Sequence, residues 1–69
     1  MKLFVPSQYK VGDVLEVKNP GYGFPYGRRV EVIDPVKFKD KRKNYCILVK
    51  DLFTMREGPI CTSYVRYAK

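Results

Sequence analysis

Three aromatic rings and two arginines fall within residues 22–29 of this 69-residue chain: Tyr22, Phe24, Tyr26, Arg28 and Arg29. Exposed rings stack on nucleobases, each stacked base contributing about 1–3 kcal/mol. Guanidinium groups meet phosphate or carboxylate oxygens two at a time. A second cationic group follows at Lys37, Lys39, Lys41, Arg42 and Lys43, where five cations against Asp40 leave +4 over residues 36–43. Five phosphate contacts correspond to a salt slope of roughly −4 to −5 on duplex DNA. Each group also has a plainer reading. One or two rings can fold back to cap a small core, and at least one is expected to do so. The cations can be a solvated hairpin tip that blocks edge-to-edge aggregation. Phe38 interrupts the charges, either as an anchor or as the ring that packs the arm down.

Other chemistry is poorly supplied. The chain has no histidine and two cysteines, Cys46 and Cys61, too few ligands for a structural metal site and no base of the usual type beside a thiol nucleophile. Asp13, Glu16, Glu31, Asp34, Asp40, Asp51 and Glu57 show no spacing that suggests a pair of catalytic carboxylates. No glycine-rich loop opens a helix to cradle phosphate. The expectation is a non-catalytic protein without metal or cofactor. An aromatic cage for methylated lysine, built from Tyr22, Phe24 and Tyr26, would work by cation–π attraction, but a +7 surface repels a basic tail.

Fourteen Lys and Arg against seven Asp and Glu produce that +7. Such a balance suits a polyanionic partner, either nucleic acid (DNA or RNA) or an acidic protein surface. There is no run of eighteen apolar residues for a membrane span, and MKLFVPSQYK lacks the apolar core and cleavage site of a signal peptide. Cys46 and Cys61 can pair if they meet on neighbouring strands, but without secretory features two reduced, partly buried thiols in a cytoplasmic protein are the favoured expectation. The length fits one domain, residues 1–69, with residues 1–8 as an N-terminal arm.

The elements that must position these residues read as short strands. In the arm, Leu3, Phe4 and Val5 add an edge strand before Pro6. Gly12-Asp13 makes a turn into Val14–Lys18, where Leu15 and Val17 share one face and Glu16 and Lys18 the other. Gly21, Gly23 and Gly27, with Pro20 and Pro25, make residues 19–29 a structured loop that no regular element crosses. Arg28–Asp34 alternates again, with Val30 and Val32 on one face, and Pro35 ends it. Residues 36–43 form a hairpin arm and tip. Asn44–Asp51 is the most apolar strand, with Tyr45, Ile47 and Val49 on one face and Cys46, Leu48 and Lys50 on the other. Glu57-Gly58-Pro59 reads as a turn, and Ile60, Val65 and Tyr67 reach the core. No helical spacing is sustained anywhere. The fold class expected is all-β, a small barrel of about five antiparallel strands around eight or so buried aliphatics, each contributing about 2 kcal/mol. Closure removes exposed edges.

Two segments carry a resemblance. Tyr9–Val17, YKVGDVLEV, looks like the part of SH3 domains in which an aromatic, a Gly-Asp turn and alternating aliphatics open a strand. Gly58–Val65, GPICTSYV, resembles the SH3 ending, in which an aliphatic strand passes through one 3₁₀ turn into a Tyr-Val pair. Together they cover seventeen residues. GFPYGRRVEVID also looks like the KOW motif of SH3-like barrels in ribosomal proteins and transcription factors, through Gly27, Val30 and Val32. Small SH3-like photosystem and phage accessory proteins have similar length. The resemblance implies an SH3-like barrel with a short 3₁₀ turn near the C-terminus. It places Tyr9 and Tyr64 where the family has groove tyrosines. The chain departs from the family in having no tryptophan, in carrying Cys61 where the family has a proline, and in a basic loop where the family's is acidic. Proline-rich peptide binding is therefore not expected.

Two functions fit these features. The first is a basic SH3-like module that contacts nucleic acid through Tyr22, Phe24, Tyr26, Arg28, Arg29 and the arm Lys37, Lys39, Lys41, Arg42 and Lys43. The alternative is a small accessory or adapter protein docking on an acidic assembly: a polymerase, a ribosome, a photosynthetic complex, or a host enzyme targeted by a phage protein.

Overall fold

Alternating valines and leucine drive strand formation here, and the strands pair in one antiparallel sheet. A computed structural model describes residues 5–68, with side chains from Ser7 onward. The strands are β1 (Val5–Pro6), β2 (Val14–Val17), β3 (Arg29–Lys39), β4 (Tyr45–Asp51), β5 (Glu57–Cys61) and β6 (Val65–Tyr67), with a 3₁₀ turn, Thr62–Tyr64, between the last two. The order is β5-β4-β3-β2-β6, and β1 pairs with the far part of β3. Leu3 and Phe4 of the expected edge strand lie outside the described residues. The all-β class and the 3₁₀ turn near the C-terminus are as expected.

Eight aliphatic residues fill the interior: Leu15, Val17, Val30, Val32, Ile47, Val49, Ile60 and Val65. Tyr9 and Phe24 complete the same cluster, with Tyr22 and Tyr64 packed against it. Ile60 comes from one end of the strand order and Val65 from the other, so the sheet curls around a single core. The 62–64 turn carries the chain between those ends. Tyr67 does not reach that core: it is half exposed and lies edge-on to Tyr9, with ring centroids 5.1 Å apart.

Three further sequence expectations are corrected. Pro35 does not end a strand, because β3 continues to Lys39. The β3–β4 register shifts between Val32 and Asp34 and again between Asp34 and Phe38, so the proline stands at an irregularity where its missing N–H breaks no regular ladder. The Asp34 carboxylate accepts the Val36 amide at 3.0 Å across it. Glu57-Gly58-Pro59 is not a turn but the start of β5, paired with Lys50, Val49 and Leu48. An outer strand tolerates proline, and pairing overrides the local turn preference. Finally, Tyr45 stands opposite Lys39, beyond the reach of the core, and is exposed, whereas Cys46 is fully buried opposite Phe38 and Cys61.

Candidate functional site

Residues 19–28 are built from two successive tight turns, and these decide where each ring goes. Gly21 and Phe24 exchange backbone hydrogen bonds of 3.1 and 2.9 Å. Between them Tyr22 and Gly23 both have positive φ, 57° and 85°, as a type I′ turn requires. Next, the Arg28 amide donates to the Pro25 carbonyl at 3.2 Å, with Gly27 at φ 83° in the third position, as in a type II turn. Tyr26 occupies the outer corner and is 68% exposed. Phe24 turns inward and is buried. Tyr22 lies edge-on to Tyr64 at 5.4 Å, and its hydroxyl donates to Asp40 at 2.7 Å. Of the three candidate rings, two serve the structure and one is presented to solvent.

The arginines stand at the start of β3. Arg28 Nη1 donates to the buried Asp51 carboxylate at 2.5 Å, and its guanidinium lies over the Phe53 ring, 4.8 Å from the centroid. Burial pushes the Asp51 pKa up, but hydrogen bonds from the Phe53 and Thr54 amides and the charge of Arg28 outweigh it and hold the carboxyl below its ordinary range. The same carboxylate accepts those amides at 2.7 and 3.2 Å, fixing the 51–56 turn. Around this pair Tyr26, Arg28, Arg29, Leu52 and Phe53 line a shallow concavity of about 570 Å³.

The lysine arm lies at the other end of β3. Lys37 and Lys39 hold their ammonium groups over the Tyr45 ring, 5.2 and 5.4 Å from its centroid. Lys41, Arg42 and Lys43 are exposed on the tip. Asp40 organises that tip: it accepts the amides of Arg42 and Asn44 at 2.9 Å each. The Tyr22 hydroxyl and these amides lower the Asp40 pKa, while the carboxylate pushes the Tyr22 hydroxyl up to about 12. The ten candidate residues thus divide. Tyr26, Arg28 and Arg29 gather near the 51–56 turn, Lys37 and Lys39 lie over Tyr45 with Lys41, Arg42 and Lys43 on the hairpin tip, and Tyr22 and Phe24 tie the loop down.

Cys46 and Cys61 face each other across β4 and β5 as buried free thiols. Desolvation first, and the nearby Asp40 charge, push Cys46 up to about 11, so it stays a thiol. Among the described residues no group of three or more His, Cys, Asp or Glu is placed to hold a metal ion. No helix there is long and apolar enough to cross a membrane.

Sequence patterning alone does not single out Tyr45, Leu52, Phe53 or Met55. A usable signal exists in Asp40 and Asp51: an aspartate at the head of a polar turn caps the amide two residues on. The geometry defines a small basic all-β domain with two decorated turns. Comparisons with protein families, curated proteins and solved structures find no match to this chain.

Proposed function

We propose that this chain is a non-catalytic SH3-like module that binds nucleic acid, and that the β3–β4 hairpin is its contact face. One observation carries the reading: an exposed tyrosine ring, Tyr45, flanked by two lysine ammonium groups and continued by Lys41, Arg42 and Lys43. Such a ring receives a base when the ammonium groups over it turn to the flanking phosphates. The hairpin suits this role because its tip residues Lys41, Arg42 and Lys43 are exposed. The strand order and the 3₁₀ turn support the SH3-like assignment. Tyr22 packs on Tyr64 and bonds to Asp40 at the hairpin tip, which ties the 19–28 loop to the β3–β4 hairpin. The non-catalytic part rests on the carboxylates: Asp40 and Asp51 are both engaged by backbone amides and a side-chain donor.

The test is fluorescence anisotropy with a labelled dT20, the matching RNA and a 20-bp duplex across a salt series. Micromolar affinity at low salt, with a slope that falls as the tip cations are removed, is the expected result. Affinity weaker than about 100 μM for all three at low salt defeats the proposal, since non-specific binders commonly do better.

A further inference from the structure

The chain's two cysteines, Cys46 and Cys61, stand opposite each other on β4 and β5, in the last rung of that ladder. Both are buried and both are free thiols. The hydrogen bonds of the ladder decide what kind of rung this is. The Asp51 amide donates to the Arg56 carbonyl at 2.7 Å, so residues 51 and 56 form a hydrogen-bonded rung. Bonded and non-bonded rungs alternate along an antiparallel pair. The register therefore makes non-bonded rungs of Lys50 with Glu57, Leu48 with Pro59 and Cys46 with Cys61. Pro59 agrees with that phase, because the position of its missing N–H then points away from β4, at the outer edge of the sheet. In a non-bonded rung the two Cα atoms approach to about 4.5 Å and the side chains lie closest. That spacing falls within the range of about 4.4–6.8 Å that a disulfide spans. Opposed residues also share one face of the sheet, so the two thiols project the same way.

We propose that Cys46 and Cys61 are a redox-sensitive pair that closes a cross-strand disulfide and fastens the outer strand β5 to β4. Each thiol has another neighbour in the reduced protein: Cys46 Sγ lies 3.7 Å from Asp40 Oδ2, and Cys61 Sγ lies 3.1 Å from Ser63 Oγ. Neither neighbour depends on the thiol. Asp40 keeps the Tyr22 hydroxyl and the amides of Arg42 and Asn44 when Cys46 turns away, and Ser63 is exposed to water. Access follows from position. The rung ends its ladder and lies on an outer strand, so it opens more readily than the rungs inside the sheet. The oxidant is a small-molecule disulfide such as oxidised glutathione. Cys61, 6% exposed against 0% for Cys46, attacks it as the thiolate, forms a mixed disulfide and releases one glutathione thiolate. The Cys46 thiolate then attacks the Cys61 sulfur, the bond to glutathione breaks, and the second glutathione thiolate leaves. The two thiol protons end on the two glutathiones; the protein gives up two electrons and the oxidant takes them. Burial holds Cys46 as a thiol, so the second step waits for the rung to open. An excess of reducing thiol runs the exchange backwards. A crosslink between positions 46 and 61 closes a loop of about 15 residues, which restricts the unfolded chain and favours the fold.

Intact-mass measurement of the full chain, incubated with oxidised glutathione in mildly alkaline buffer at low protein concentration, tests the proposal. The expected product is a monomer that has lost two hydrogens and has no free thiol. Proteolysis should yield one joined fragment containing both cysteines, and dithiothreitol should restore the starting mass. The oxidised chain should melt about 10 °C or more above the reduced one. Cys46→Ser and Cys61→Ser should each stop at a single mixed disulfide and show no such rise. The wild type carries the test by itself, so the result does not depend on either variant folding. Thiols that stay free in the folded chain, after the same oxidant has joined them in urea, overturn the proposal. So do a product that retains glutathione, a disulfide-linked dimer, and an oxidised monomer that melts at or below the reduced one.

Discussion

At the head of the 40–44 turn, Asp40 accepts the amides of Arg42 and Asn44 and the hydroxyl of Tyr22. At the head of the 51–56 turn, Asp51 accepts the amides of Phe53 and Thr54 and the guanidinium of Arg28. Each turn contains a non-glycine residue at φ 64°, Lys43 in the first and Met55 in the second. Each is braced by a residue of the 19–28 loop, so that one loop holds both ends of β4. The frames match and the displays do not: three cations at one end, leucine, phenylalanine and methionine at the other. The backbone plan of a turn leaves its outward side chains open to choice, and here the two choices differ in chemistry.

The largest effect is expected where the frames differ in burial. Asp51 is buried and Asp40 is only partly so. Asp51→Ala strands two amides and leaves the half-covered Arg28 without its counter-charge, a loss of about 3 kcal/mol. For a small domain this is a large share of the total. Asp40→Ala should lower the urea midpoint by clearly less, because water replaces the carboxylate. Equal losses in urea melts would show that the two brackets are equivalent and that burial does not separate them.

Charge removal separates the displays. Lys41→Gln/Arg42→Gln/Lys43→Gln should weaken dT20 binding at least tenfold at low salt and reduce the magnitude of the salt slope by about 2, at about 0.7 per phosphate contact on single strands. Phe53→Ser should leave both quantities where they are. A comparable loss from Phe53→Ser in the same anisotropy series would merge the two surfaces into one.

Much of the fold is legible in local pattern. Alternation alone locates Leu15 and Val17 on one face, Val30 and Val32 on the next strand, and Ile47 and Val49 on the third, and all six are buried. The Gly12-Asp13 turn reads equally well: Gly12 has φ 92°, and the Asp13 amide donates to the Lys10 carbonyl at 3.0 Å. What fails is whatever depends on distant partners. Pro35 and Gly58-Pro59 look like breaks because their cost is local, whereas what absorbs it is distant: a register irregularity against β4 at Pro35 and pairing with β4 at Gly58-Pro59. The site is less legible still. Tyr22 meets Asp40 and Arg28 meets Asp51 across separations of 18 and 23 residues. No periodicity within a segment encodes such contacts, so the loop's residues look alike until its two turns send Tyr26 outward and Phe24 inward.

The side-chain brackets also differ in how they respond to pH. Asp40 and Asp51 both have lowered pKa values, so their contribution is whole above the unfolded value near 3.9 and is lost as pH falls through the folded one. Acid should therefore loosen both turns. Alkali should loosen only the first. Tyr22 rises from 10.0 to about 12, so the protonated hydroxyl is favoured in the fold; its contribution is whole below pH 10.0 and disappears as pH passes 12. Cys46, raised from 9.0 to about 11, adds to this over a slightly lower range. Wild type should lose stability relative to Tyr22→Phe between about pH 10 and 12 in urea melts. A pH-independent difference between the two would remove the tyrosine hydroxyl from the bracket.

The smallest effect tests the feature the turns share. Lys43 and Met55 both occupy the left-handed region, which costs a residue with a Cβ roughly 1–2 kcal/mol, and glycine enters it freely at an entropic cost of about 0.5–1 kcal/mol. Lys43→Gly and Met55→Gly should each raise stability by no more than about 1 kcal/mol, and by similar amounts, because the backbone angle is the same. Their binding phenotypes should diverge: Lys43→Gly flattens the nucleic-acid salt slope by about 0.7, and Met55→Gly leaves dT20 binding unchanged. A Lys43→Gly variant that gains stability and keeps the wild-type salt slope would show that the shared angle serves the turn's closure and nothing its side chain does.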